Sequence, residues 1–167
     1  IELRPMTKFP VVRDLVVDRS RMFNTLKKIR AWVPVDSYLD MGPGPRQSQE
    51  NQQLAYALSK CMTCGCCLEA CPQYLKIELE RQEGESEEDF HAREREAHGH
   101  GFIGATAIAQ IDLFNTNPIG GMNARERLDA LVGEGGIQTC GNAQNCVRVC
   151  PKEIPLTTSI ARAGRAA

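Results

Sequence analysis

Two twelve-residue stretches constrain this chain more than anything else in it. The first reads Cys61-Met-Thr-Cys64-Gly-Cys66-Cys67-Leu-Glu-Ala-Cys71-Pro72. The second reads Cys140-Gly-Asn-Ala143-Gln-Asn-Cys146-Val-Arg-Val-Cys150-Pro151. Leaving Cys66 aside, the first is C-x2-C-x2-C-x3-C-P. Laid on it, the second keeps Cys140, Cys146, Cys150 and the proline, and has Ala143 where the first has Cys64. The chain therefore carries an internal repeat with one thiol deleted.

The spacing has a chemical reason. An iron–sulfur cubane needs thiolates at separated corners. Cysteines three residues apart on a curling loop reach successive corners. In runs of this kind the fourth cysteine ligates the other cluster. The proline after it has no N–H and fixes the bend. Applied here, the crossing rule gives two sets. Cys61, Cys64, Cys67 and Cys150 suit a [4Fe–4S] cluster. Cys71, Cys140 and Cys146 leave the corner at Ala143 without a ligand, which suits a [3Fe–4S] cluster. Iron content tests this, because a filled corner adds one iron to the expected four plus three.

The eight cysteines admit other readings. A disulfide framework fits the even count but not the doubled C-P frame. Structural zinc favours paired C-x2-C knuckles in sets of four. Cys66, adjacent to a ligand position, reads as a buried small apolar side chain.

The rest of the chain explains why clusters are needed. Val, Ile, Leu and Phe make up about 22 % of 167 residues, near the level where apolar burial alone stops folding a chain. Net charge is −1, which excludes a simple polyanion binder, and no nucleic-acid partner is expected. No apolar run approaches the roughly 20 residues of a membrane span. The chain begins at Ile1, mid-pattern, so a missing leader proves little.

The periodicity is mostly helical, and the expected class is all-α. Residues 1 to 10 read as extended, like the last strand of something upstream. Asp14 to Arg30 reads as a helix with Leu15, Met22, Leu26 and Ile29 on one side. Met41 to Pro45 reads as a loop. Gln47 to Lys60 reads as a helix that delivers the chain to Cys61. Phe102 to Phe114 is apolar at Ile103, Ala107, Ile111 and Phe114. Asn123 and Glu126 form a candidate capping box, with Gly133 as the stop. A charged insertion spans about 76–100. Within it, residues 78 to 100 hold nine acids, three arginines and all three histidines, His91, His98 and His100. Its composition reads as a solvated helical hairpin or a disordered loop, and the histidines as surface residues rather than a metal site. The basic stretch of Arg13, Arg19, Arg21, Lys27, Lys28 and Arg30 reads as a solvated face, with a subunit-docking surface as the alternative.

With the cysteine frames in view, Pro10-Val-Val-Arg13-Asp14-Leu15-Val-Val-Asp18, Asn117-Pro118, the helix Arg127-Leu128-Asp129-Ala130-Leu131 and Gly136-Ile137 become recognisable. Together they resemble the iron–sulfur subunit of succinate dehydrogenase and fumarate reductase, most closely the menaquinone-linked bacterial type. The resemblance implies an α-helical ferredoxin domain over residues 11–167. Residues 1–10 would then be the terminal strand or linker of an absent N-terminal plant-type [2Fe–2S] domain. It implies a chain that makes no bonds to succinate but passes electrons from a flavin through [2Fe–2S], [4Fe–4S] and [3Fe–4S] clusters to a membrane quinone, or the reverse. FAD would sit on a flavoprotein subunit. Quinone, menaquinone by this likeness, would sit at a membrane-anchor subunit that in this family can carry haem b. The location would be peripheral, at the cytoplasmic face of the membrane. Some relatives carry a Trp and a His near the quinone, where this chain has Lys76 and Gly141. Pro72 is the one quinone-vicinity residue carried over. The alternative is a two-cluster subunit of another respiratory complex, of the heterodisulfide reductase or glycerol-3-phosphate dehydrogenase type. Those usually show two full four-cysteine frames, and Ala143 counts against them.

Overall fold

The computed structural model describes residues 1–34 and 45–167. Most of the expected Met41–Pro45 loop falls outside the described residues. Among the described residues the regular structure is helical apart from one small hairpin.

That hairpin is the first correction. Val11–Arg13 (β1) pairs antiparallel with Val16–Val17 (β2). Two pairs of β-branched valines favour extended backbone. Between them Asp14 takes φ 51, a left-handed turn conformation that Asp tolerates. The helix foreseen from Asp14 therefore starts only at Ser20 and runs to Lys28 (α1). Asp18 launches it, accepting from the Ser20 N–H at 2.7 Å. Leu15, assigned to the apolar face of that helix, is instead 52 % exposed on the hairpin, while Met22 and Ile29 are buried as expected.

Helix α2 spans Gln49–Ser59 and is capped by Ser48, whose hydroxyl accepts from Asn51 N–H. It ends directly before Cys61. The two cysteine frames contribute one short turn each, α3 (Cys66–Glu69) and α7 (Asn145–Arg148). The charged insertion forms α4 (Glu87–His100). Ser86 caps it, and Glu87, Glu88 and Asp89 in its first turn complement the helix dipole.

The insertion is a docked helix rather than a free loop. Lys28 of α1 donates to the Gly99 carbonyl at 2.7 Å, and His100 contacts Glu134 at 2.7 Å. His98 is buried against α1, at 7 % exposure. Burial lowers its pKa, so the ring is held towards its neutral form. The three histidines point to different surroundings: His91 pairs with Glu94, His100 with Glu134, and His98 faces the interior.

Helix α5 (Gly104–Thr116) is the centre of the molecule. Beyond the foreseen Ile103, Ala107 and Ile111, it also buries Ala105, Ile108 and Ala109, so it is apolar nearly all round. It packs against α1, α2, α3, α6 (Ala124–Val132) and α8 (Leu156–Ala166). Fully burying Ile108 and Ile111 contributes about 1.5–3 kcal/mol each. Gly104, at φ +82, lets the start of α5 touch the first cysteine frame; a Cβ there would lie 2.2 Å from Leu68. Two buried clusters meet at α5. One contains Phe9, Met22, Leu68, Tyr74, Ile108 and Leu131, and the other contains Leu58, Ala105, Ile154 and Leu156.

Two arginines assigned to surface or helix positions are structural. Arg21 is 5 % exposed, stacks over Tyr74 at 3.9 Å and donates to the carbonyls of Leu75 and Phe102. Arg127 in α6 is fully buried and ties α1, α5 and α6 together. At the start of α6, Asn123 donates to Glu126 at 2.6 Å, but its side chain makes no bond to the helix backbone. Among the described residues, no helix is long and apolar enough to cross a membrane.

Candidate metal centres

The sequence repeat is also a backbone repeat. Thr63 and its counterpart Asn142 both take φ 52. Gly65 and its counterpart Gln144 are both left-handed, at φ 86 and 59, and each precedes a one-turn helix. Two left-handed residues close together curl each loop so that side chains three apart face one hollow. Glycine takes this conformation freely; in the second frame Gln144 adopts it despite its Cβ. The frames are pinned to each other where Asn145 donates to the Ala70 carbonyl at 3.0 Å.

Around these loops the thiols fall into two cavities. Cys61, Cys64, Cys67 and Cys150 line one, together with Thr106 and Lys152. Cys71, Cys140 and Cys146 line another, together with Ala143, Pro72 and Gln73. Each cavity thus draws its last cysteine from the opposite frame. Ala143 sits in the wall of the second cavity, offering a methyl group where its counterpart Cys64 offers a thiol to the first. Consecutive residues of α5 wall the two sites: Thr106 the first and Ala105 the second.

None of the eight cysteines is in a disulfide. Among the described residues, no three or more His, Cys, Asp or Glu side chains converge on a point that could hold one metal ion. The thiols stand around the walls of hollows, which suits a cluster of several irons. A zinc site would gather four sulfurs about 2.3 Å from a single centre. The donor set is soft thiolate, as iron–sulfur clusters require.

Electrostatics agree with a need for metal. Burial first, and then the neighbouring Cys61, Cys64, Cys146 and Cys150, push the Cys67 thiol up to about 12. Burial also raises Cys146, with Cys71 and Cys140 adding to it. Without a cation these thiols stay neutral; coordination removes their protons outright.

The structure bears out the reading of Cys66 only in part. It is partly buried at the start of α3, and it lines neither cavity. Its pKa is raised, by burial first and then by a hydrogen bond with Cys64. Sequence reasoning missed three wall residues. Thr106 sits within a helix that reads simply as apolar, where a lone hydroxyl among Ala and Ile was the available signal. Lys152 and Gln73 follow the two C-P pairs. Gln73 lies over Gly141, within 2.8 Å of where a Cβ would be, and closes the second cavity.

Glu69, in the frame's short helix, anchors the N-terminal segment. It accepts from Thr7 N–H (2.8 Å), Thr7 hydroxyl (2.6 Å) and Lys8 N–H (3.0 Å). Burial opposes its ionisation, but these bonds outweigh burial and hold its carboxyl below the usual range. Lys8 and Arg19 add bonds to the carbonyls of Cys71 and Thr63.

Residues 57–154 match the family described as 4Fe-4S dicluster domain. The chain is 52 % identical over 165 residues to the succinate dehydrogenase iron-sulfur subunit of Bacillus subtilis, covering 99 % of this chain and 56 % of that protein. It is 24 % identical over 163 residues to the fumarate reductase iron-sulfur subunit of Wolinella succinogenes, covering 96 % and 59 %. It is 27 % identical over 171 residues to the fumarate reductase iron-sulfur subunit of Haemophilus influenzae, covering 96 % and 58 %. The chain therefore spans a little over half the length of these curated relatives. With both cysteine frames inside the matched region, the chain belongs to the 4Fe-4S dicluster domain family.

Proposed function

We propose that this chain is the dicluster portion of the iron–sulfur subunit of a succinate dehydrogenase or fumarate reductase. In this reading Cys61, Cys64, Cys67 and Cys150 hold a [4Fe–4S] cluster, and Cys71, Cys140 and Cys146 hold a [3Fe–4S] cluster. The observation that carries it is the crosswise lining of the two cavities, with Ala143 in the wall of the three-thiol one. The likeness to subunits with those names supports it.

When bound, the clusters supply one-electron storage without bond-making on a substrate. The chain's own work is to hold and insulate them. Cys61 to Cys67 and Cys140 to Cys146 present thiolates from loops fixed by left-handed residues. Ala105 and Thr106 place the two sites on adjacent faces of one helical turn, which keeps the transfer path short. Leu156 and Ile154 cover the first site, and Phe102 and Ile160 the second, excluding water that would otherwise damp electrostatic tuning.

Residues 11–167 form the α-helical ferredoxin domain in this reading, and residues 1–10 link it to a preceding plant-type [2Fe–2S] domain. Glu69 clamps that linker beside the first frame. Electrons reach the chain from a flavoprotein subunit carrying FAD and leave through Pro72 and Gln73 towards a quinone, menaquinone by likeness, at a membrane-anchor subunit on the cytoplasmic side. The test is electron paramagnetic resonance of the intact iron–sulfur protein. A three-iron signal in the oxidised sample and a four-iron signal only after dithionite supports the reading. Two four-iron signals, or a colourless protein, overturns it.

A further inference from the structure

We propose that Thr106 is a positioning residue that sets the reduction potential of the first cluster through a hydrogen bond to the thiolate of Cys61. The inference rests on the assignment of Cys61 as an iron ligand.

Thr106 lies in the first turn of α5 and is 3 % exposed. Its Oγ1 stands 3.5 Å from Cys61 Sγ, within range for a sulfur acceptor. A buried threonine hydroxyl in a helix commonly donates to the carbonyl three or four residues back. Thr116 and Thr25 in this molecule do so, donating to Asp112 and Arg21 carbonyls. Thr106 does not; Cys61 Sγ is its hydrogen-bond partner. An iron-bound thiolate carries no proton, so the hydroxyl must donate and the sulfur accept. Thr106 also lines the same cavity as Cys64, Cys67 and Cys150.

The direction of the effect follows from charge. Adding one electron increases negative charge on the sulfurs. A donor that faces a more negative acceptor binds it more strongly. The Thr106 hydroxyl therefore favours the reduced state and raises the potential. The start of α5 acts in the same sense, since a helix N-terminus carries partial positive charge. No proton moves and no bond to iron is made or broken; only the hydrogen bond strengthens. The second cavity has alanine, Ala105, on the adjoining stretch of α5. The device is thus confined to the first site.

The test is a redox titration of the intact iron–sulfur protein, followed by the two resonance signals. Thr106→Val keeps the side-chain shape and removes the donor. It is expected to lower the reduction equilibrium constant of the four-iron centre about tenfold, equivalent to 59 mV for one electron. The three-iron centre serves as internal control and should not move. Thr106→Ser keeps a hydroxyl and should restore most of the shift. If the valine variant fails to load the cluster, Thr106→Ala provides the same comparison. An unchanged four-iron potential, a serine variant that behaves like valine, or an equal shift in both centres overturns the proposal. Cys61→Ser separates the two levels of inference. Retention of a native four-iron signal in that variant would defeat the ligand assignment itself, whereas a silent Thr106 with Cys61 essential defeats only the tuning role.

Discussion

Replacing Arg127 with methionine removes the most heavily bonded side chain in the core. The guanidinium is fully buried. Its Nε donates to the Arg30 carbonyl at 3.0 Å, one terminal nitrogen to Asn115 Oδ1 at 3.0 Å and to the Gly120 carbonyl, and the other to the Trp32 carbonyl at 2.8 Å. Its charge also lies 5.5 Å from the Phe114 ring centre. Its neighbour in sequence, Glu126, is engaged with Arg30 at the surface. Methionine fills the stem volume, so the loss is mainly of charged donors. Each such bond is worth about 1.5–3 kcal/mol when its acceptor stays dry. The Arg30 and Trp32 carbonyls lie near the surface and recover water, while Gly120 is buried. Two bonds lost without compensation give about 3–6 kcal/mol. For a chain of this size each kcal/mol lowers Tm by about 2–4 °C, so the midpoint should fall by about 6–24 °C. Thermal loss of far-ultraviolet circular dichroism on the cluster-loaded protein measures it. A fall of less than about 2 °C would refute the claim that this arginine, rather than apolar packing alone, joins α1, α5 and α6.

Two further outcomes follow from the site. On the proposed ligand assignment, Ala143→Cys adds a fourth thiolate to the second cavity, so iron analysis should gain one iron per chain and the oxidised three-iron signal should disappear; persistence of that signal would contradict the assignment. Glu69→Gln weakens the clamp on Thr7 and Lys8. Because the folded carboxyl titrates below its ordinary range of about 4.3, its contribution is present above that range and is lost as pH falls through the lower folded value. Amide exchange at Thr7 and Lys8 should therefore be about tenfold faster in the variant at pH 7, with the difference closing in acid; equal exchange at pH 7 would remove the clamp.

The pairing of the two cysteine frames was legible because their spacing repeats locally. The structure curls both loops alike and lines two cavities with their thiols, with Ala143 in the wall of the second. The central helix was legible through its apolar period, although Ile108 and Ala109 bury a second face that a one-sided pattern does not reveal. The helix read from Asp14 began too early because Leu15 falls in helical register with Met22, Leu26 and Ile29; the left-handed turn at Asp14 and the valine pairs around it give a hairpin instead. Arg21 and Arg127 look like surface charge in any composition argument. Their burial depends on carbonyls supplied by distant segments, at Leu75, Phe102, Arg30 and Trp32, which no local pattern encodes. The same holds for the insertion. Its acids pointed to solvent and left a helical hairpin and a loop both open; the Ser86 cap and the docking of its last turn on Lys28 and Glu134 decide for the helix.

The crosswise use of two loops is best tested by moving one thiol at a time and watching both centres. In Cys150→Ser the four-iron signal should be lost or altered while the three-iron signal persists, although residue 150 lies in the second frame. In Cys71→Ser the three-iron signal should be the one damaged. The reverse pairing, in which each frame feeds only its own cluster, would contradict the account.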